Sequence, residues 1–412
     1  MELSNIDNLS FFFIIFLAVA GILTYFLKKH LFSIFDFWVF IILNQTIILS
    51  LFIYLFYSKA IDIKILSSVL LSATFLILGL NSFSKKKSSF TFKKEPLIER
   101  TIKPLTFVII FIYVANTLVS IFFLGLPFIT GVRRTISVYS QLGPGFGIIY
   151  YIDWGIKLLM TVLIAKLYIL RKKKLSYLVL AIFVVGLVLN TGSRLVYLQL
   201  FLFFIFAMHL TNESINLRSL PKFVKIGFYA LPIIILVSFT SAVSAGYEAN
   251  VFLAFIKRFI GSAEGPFYYY IGDSRTYLEN LSIVKYHFAH ILPYFGIPTA
   301  NEINLGVNIT KLSSFSFGKE GFGPNPTFYV VGDILFGRFS FIYAYALGAI
   351  LSIIRYRLNR IGFSLYFLLN ISIISILVDG TLFTMSLFYV LMLLIPLSII
   401  IIQGYKKENS ID

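Results

Sequence analysis

The chain contains no cysteine, which excludes disulfides and thiolate-held metals. Acidic side chains are scarce, 18 Asp+Glu in 412 residues. No Asp-x-Asp pair occurs, so the common carboxylate bridge to a divalent metal is missing and we expect neither a metal nor any other cofactor. Histidine is limited to positions 30, 208, 287 and 290. Nothing resembles a phosphate-cradling P-loop, which argues against an ATP-driven pump. Charged residues of both signs make up only 13% of the chain, against about 25% in soluble domains.

What fills the gap is apolar. Hydrophobic residues are 58% of the sequence and the mean hydropathy is +0.90. A water-soluble fold could not hide that much apolar surface, and disorder is excluded for the same reason. The expected class is an all-α polytopic membrane protein. A crossing helix needs about 20 apolar residues. Eleven segments qualify, near 11–27, 33–57, 63–82, 105–125, 148–170, 175–190, 195–210, 225–245, 339–354, 361–378 and 381–403. The first ten residues carry no positive charge and no small-residue cleavage site follows them, so the first run reads as a retained span.

The net charge of +17 follows the spans. Lys28/Lys29, the run Lys85 to Lys103, Arg171 to Lys174, Arg218/Lys222/Lys225, Arg355/Arg357/Arg360 and Lys406/Lys407 occupy alternate connections and hold 21 cations. The positive-inside rule makes these connections cytoplasmic. The N-terminus is then outside and the C-terminus inside, as an odd number of spans requires. The basic excess is topology signal, and nucleic acid is not an expected partner.

One connection is far too long for this pattern. Residues 246–338 are expected outside, as a large loop with short helices between the eighth and ninth spans, dividing the chain into a membrane bundle at 1–245, the loop, and a second bundle at 339–412. Val251 to Ile260 reads as an interfacial helix. The loop gathers polar chemistry: Glu264, Asp273, Arg275, His287, His290, Glu302, Lys311, Lys319, Glu320, Asp333 and Arg338. Connections of this length are usually functional.

Several arginines work against the orientation signal: Arg133-Arg134 after the fourth span, Arg194 between two apolar runs, and Arg258, Arg275 and Arg338 in the outer segment. An anionic partner would compensate, and the planar guanidinium fork suits a phosphate. The bland readings are solvation in a loop, or snorkelling to head groups. His287 and His290 would share a face on a helix; they compete with Glu264 and Asp273 as general base. Tyr268-Tyr269-Tyr270 reads either as a stacking surface for sugar rings or as an interface belt. Asp153 is placed to pair with an outer arginine, Asp36 lies near the cytoplasmic end of its span, and Asp379 reads as a turn residue.

The run Asn190-Thr191-Gly192-Ser193-Arg194 between two spans resembles the signature of Wzy-type O-antigen and capsular polysaccharide polymerases. So does the order of many spans, then one large outer loop, then the last few spans. Gly321-Phe322-Gly323-Pro324-Asn325-Pro326-Thr327 followed by Gly332-Asp333-Ile334-Leu335-Phe336-Gly337 resembles the Gly/Asn-rich loop exit of the same proteins. The resemblance covers most of the chain in architecture, and in motif only these runs.

The resemblance implies a GT-C-like helical bundle in the bacterial cytoplasmic (inner) membrane. It implies a glycosyltransferase that moves a growing glycan from undecaprenyl diphosphate to the terminal sugar of a new lipid-linked repeat unit, inverting and without metal. Its partners would be undecaprenyl-diphosphate-linked oligosaccharides, membrane lipids, a chain-length regulator and a flippase of the same pathway. Arg194 and Arg134 would stabilise the leaving diphosphate with Arg133, Arg258, Arg275 and Arg338, and Asn325 would contact sugar. The related O-antigen ligases place a His near the loop exit, where this chain has Gly323-Pro324-Asn325, which disfavours a ligase. A lipid-oligosaccharide flippase is the alternative of another class, disfavoured by the lack of internal repeat.

Overall fold

A computed structural model of the chain describes residues 8–31, 38–84, 96–126, 142–143, 146–190, 263–272, 274–276, 281–313, 325–357, 363–381, 384–385 and 387–393. Among these residues the structure is helical and holds no strand. The helices are α1 (Leu9–Leu27), α2 (Val39–Tyr57), α3 (Ile63–Ser82), α4 (Pro96–Leu124), α5 (Gly147–Ile169), α6 (Lys173–Asn190), α7 (Glu264–Ile271), α8 (Ile283–His287), α9 (Ala300–Ile303), α10 (Leu305–Leu312), α11 (Thr327–Phe336), α12 (Ser340–Tyr356) and α13 (Phe363–Val378).

Five described stretches are long and apolar enough to cross a membrane: Ser10–His30, Ile63–Ser82, Ile102–Leu124, Gly147–Ile169 and Thr327–Tyr356; Ile41–Tyr57 is a shorter apolar helix. They are apolar on their outward faces too. Phe111 and Phe122 are 73% and 83% exposed, an arrangement suited to lipid and costly in water. The expected spans 195–210 and 225–245 lie outside the described residues, as does most of 381–403. The stretch expected to begin at residue 339 begins earlier. The apolar helix α11 runs through a 3-10 turn, Gly337–Phe339, directly into α12.

The chain forms two compact units, each discontinuous in sequence: residues 1–88, 221–357 and 372–385 in the first, and 89–220, 358–371 and 386–412 in the second.

In the first unit, α3 and α12 make the most extensive helix pairing. Small residues permit it. A Cβ on Gly79 would lie 2.3 Å from the Tyr345 carbonyl oxygen, and one on Gly348 would lie 2.3 Å from that of Leu76. The two backbones therefore touch, as small residues allow in apolar surroundings where helix association depends on close packing. Ser72 bonds Ser340 at 3.1 Å and Ser82 bonds Tyr345 at 2.9 Å along the same seam.

Helix ends are fixed by side chains. The Asn8 carboxamide accepts from Phe11 N–H and the Asp62 carboxylate from Ile65 N–H, satisfying donors that a helix start leaves open. His30 bonds Tyr356 at 2.5 Å and Asn81 at 2.8 Å, and Arg355, fully buried, donates to the His30 carbonyl at 3.2 Å and lies 4.8 Å over the Trp38 ring. Asn8 N–H donates to Tyr54 Oη at 3.2 Å. Each of these long-range contacts joins residues that the charge pattern assigns to the same side.

In the second unit, α4, α5 and α6 pack on one another. The Tyr113 ring lies flush against Gly186, with its hydroxyl on the Phe183 carbonyl at 2.8 Å. Ser176 donates to the Ile164 carbonyl at 2.9 Å. Asp153 is buried and forms a salt bridge with Lys157, one turn on in the same helix. The Lys157 side chain leans back toward the helix N-terminus and so reaches the carboxylate.

Candidate functional site

Two polar clusters that involve the segment 246–338 lie on either side of α11 in the first unit. On one side is Asp333. It is buried, and its carboxylate accepts from Arg275 Nη2 at 3.1 Å and from Tyr269 Oη at 2.9 Å, with Arg275 Nε ion-paired at 2.9 Å. Two contacts from one guanidinium make a fork-on-carboxylate pair. Tyr269 comes from α7, and burial, then the Asp333 charge, push its phenol up, so it remains a donor. The next residue, Tyr270, donates to the Tyr329 carbonyl at 3.3 Å, and Tyr329 Oη meets Gln45 of α2 at 2.5 Å. Arg275 lies 5.9 Å from the Tyr270 ring centre and its side chain stays 48% exposed.

On the other side Gly332 packs against Tyr343 of α12. Tyr343 Oη bonds His287 Nε2 at 3.0 Å. His287 ends α8, whose start is capped by Ser282, and α8 docks on the turn after α13. There the Tyr286 hydroxyl donates to Asp379 at 3.3 Å and accepts from Gly380 N–H at 3.1 Å. Thr384 Oγ1 donates to the His287 carbonyl. A Cβ on Gly380 would sit 2.9 Å from both the His287 and Tyr286 rings, so only glycine admits both rings. Asp379 also accepts from Thr381 N–H at 3.0 Å. It is the turn residue expected, and in addition the anchor of α8.

The electrostatics of this second cluster favour a neutral imidazole. Burial lowers the His287 pKa, against a smaller upward pull from a bond to the Gly380 backbone. The Tyr286 phenol is pushed up, first by burial and then by Asp379. A neutral, half-buried histidine beside a carboxylate-anchored turn can accept a proton at neutral pH.

The remaining expected residues fall as follows. His290 is buried in the turn beyond α8 rather than on the helix, because α8 ends at His287; the two do not share a helical face, and burial lowers the His290 pKa to about 4. Glu264 stands in the first turn of α7, where a negative charge suits the helix dipole. Tyr268, Tyr269 and Tyr270 are all buried, so their rings serve packing and hydrogen bonding here. Arg338 and Asn325 are exposed at the two ends of α11. Arg133, Arg134, Arg194, Arg258 and Asp273, with Asp36 and the helix expected at 251–260, lie outside the described residues. Among the described residues, no group of three or more His, Asp and Glu could hold a metal ion.

The sequence pattern assigns no role to Asp333, Tyr343 or Tyr286, although Asp333 lies in the loop-exit motif. Asp333 had a signal, an acid inside an apolar run; the two tyrosines had none, since aromatics are abundant throughout. Comparison of the chain with protein families, with curated proteins and with solved structures finds no match. The fold itself defines a largely helical protein with helices suited to a membrane.

Proposed function

We propose that this chain is a polysaccharide polymerase: a glycosyltransferase that transfers a growing glycan from its polyprenyl diphosphate carrier to the terminal sugar of a new lipid-linked repeat unit, at the outer face of a bacterial cytoplasmic membrane. The reading rests on the resemblance of the Asn190 to Arg194 run and of the loop exit to Wzy-type polymerases. The structural observation that supports it best is the docking of Tyr286 and His287 on the Asp379–Thr381 turn. It gathers a neutral histidine, a carboxylate and two phenols from segments read as outer.

The chemistry has two demands. The departing diphosphate accumulates negative charge, and the attacking hydroxyl must lose a proton. Arg194 with Arg133, Arg134, Arg258 and Arg338 answers the first without a metal, because each prepositioned donor is worth about 3 kcal/mol in a site shielded from water. Arg275 enters this set less readily, since its fork already holds Asp333. His287 answers the second, for about 10²–10⁴-fold in rate. Direct attack by the acceptor inverts the donor anomeric centre.

Replacement of Arg194 tests the reading. Arg194→Ala should abolish long-chain surface polysaccharide on a gel while single-unit product and protein level persist. Arg194→Lys should rescue poorly, because a point charge does not replace the fork. EDTA should leave the purified enzyme active. Normal chain-length ladders from both variants would remove Arg194 from the mechanism, and EDTA inhibition reversed by added metal would remove the cation-only scheme. Polymer that accumulates on its lipid carrier in a deletion strain would indicate a ligase instead.

A further inference from the structure

The second unit holds a concentration of charge that the polymerase reading does not use. An open-sided cavity of about 470 Å³ is lined by Lys103, Arg171, Lys172, Lys173, Lys174 and Leu175. Arg171 and Lys172 lie in the turn from α5 into α6, Lys173 and Lys174 open α6, and Lys103 comes from α4, so the convergence is made by tertiary packing and not by a run in the sequence alone. Among the described residues, Lys103, Arg171, Lys172 and Lys174 take part in no ion pair. Lys173 lies 5.1 Å over the Tyr168 ring.

Topology signalling explains why this connection is basic. It does not explain a concavity, because the positive-inside rule counts cations near span ends and does not require them to converge. Like charges facing one hollow repel one another until a counter-charge enters. Arg171 adds to the case. It is the left-handed residue that closes α5, with φ 58°, its N–H on the Tyr168 carbonyl and that of Lys172 on the Leu167 carbonyl, each at 3.0 Å. Glycine is the usual occupant of that position. Lys59 closes α2 in the same way, so the backbone alone marks nothing. What sets Arg171 apart is the three lysines after it and Lys103 beside the same cavity.

We infer that this cavity binds the phosphate groups of an anionic molecule, supplied by an anionic phospholipid whose head group enters where α5 ends and α6 begins. One guanidinium fork with several ammonium groups is the donor set that phosphate recognition uses, and clustered cations at span ends attract anionic lipid. The inference is independent of the polymerase reading.

The test is native mass spectrometry of the full-length protein, purified in detergent and equilibrated with equimolar cardiolipin and phosphatidylcholine. Cardiolipin should be retained preferentially, and retention should fall about fivefold for each cation removed. Arg171→Gly should show this loss while melting no lower than wild type, because glycine suits the backbone there. Lys172→Gln with Lys174→Gln should lose more, and Lys172→Arg with Lys174→Arg should retain the lipid. Inorganic pyrophosphate should displace it. Pyrophosphate binding that depends on these residues, without any lipid preference, would overturn the phospholipid as source and support a soluble anion. Equal retention of both lipids by wild type and variants, untouched by pyrophosphate, would overturn the site.

Discussion

Asp333 is held by two hydrogen bonds and an ion-pair contact inside an apolar helix, and the asymmetry of its pairing makes it testable. Its side chain is 2% exposed while that of Arg275 is 48% exposed. Removing the guanidinium therefore strands a buried charge, whereas removing the carboxylate leaves an arginine free to turn to water. Arg275→Met should destabilise the protein by about 3 kcal/mol. Asp333→Asn added to it should recover most of that loss, because a neutral amide is far cheaper to bury than a lone carboxylate. Thermal unfolding of the two variants in lipid nanodiscs checks this. Losses that simply add would show that the pair is not coupled and that Asp333 is satisfied by Tyr269 alone.

At the scale of elements, the α3–α12 seam depends on two missing side chains. Gly348→Val would put carbon into the Leu76 carbonyl, and backbone cannot yield as a flexible side chain can. The expected result is a loss of several kcal/mol, visible as low yield and an early melt. Gly21→Ala in α1 is the control: a Cβ there meets nothing within 4 Å, so alanine should be neutral or stabilise by up to about 1 kcal/mol. Equal behaviour of the two variants would mean that helix propensity and not close approach governs these glycines. Neither contact could be read from sequence. Gly79 and Gly348 are two of 26 glycines, and nothing in their neighbours announces that they meet. The helices themselves were legible, because unbroken apolar runs fix both the type and the approximate limits of α1, α3 and α5, whereas α4 begins at Pro96, nine residues before its apolar run. The local caps Asn8 and Asp62 follow from chain-near chemistry. The site was only partly legible. His287 stood out by rarity and position, but its partner Tyr343 lies 56 residues away. Asp379 reads as a turn residue because its second role, receiving Tyr286, depends on where α8 folds back.

At the scale of the molecule, the described histidines all belong to the first unit, and this gives acid unfolding a direction. His287 and His290 are both depressed by burial, His290 to about 4 from an ordinary 6.5. A histidine with a lowered folded-state pKa binds fewer protons folded than unfolded. Its contribution is thus fully present above pH 6.5 and is lost as the pH falls toward 4. For His290 the loss across that window is on the order of 3 kcal/mol, since each pKa unit corresponds to about 1.4 kcal/mol. Wild-type protein in nanodiscs should melt progressively earlier between pH 7 and pH 4.5. His290→Phe keeps an aromatic in the buried site and removes the titration, so its melting temperature should fall less steeply over the same interval. The other titratable groups are the same in both proteins and cancel in the comparison. Parallel slopes for the two proteins would mean that His290 reaches water and titrates normally, and that acid weakens the fold elsewhere.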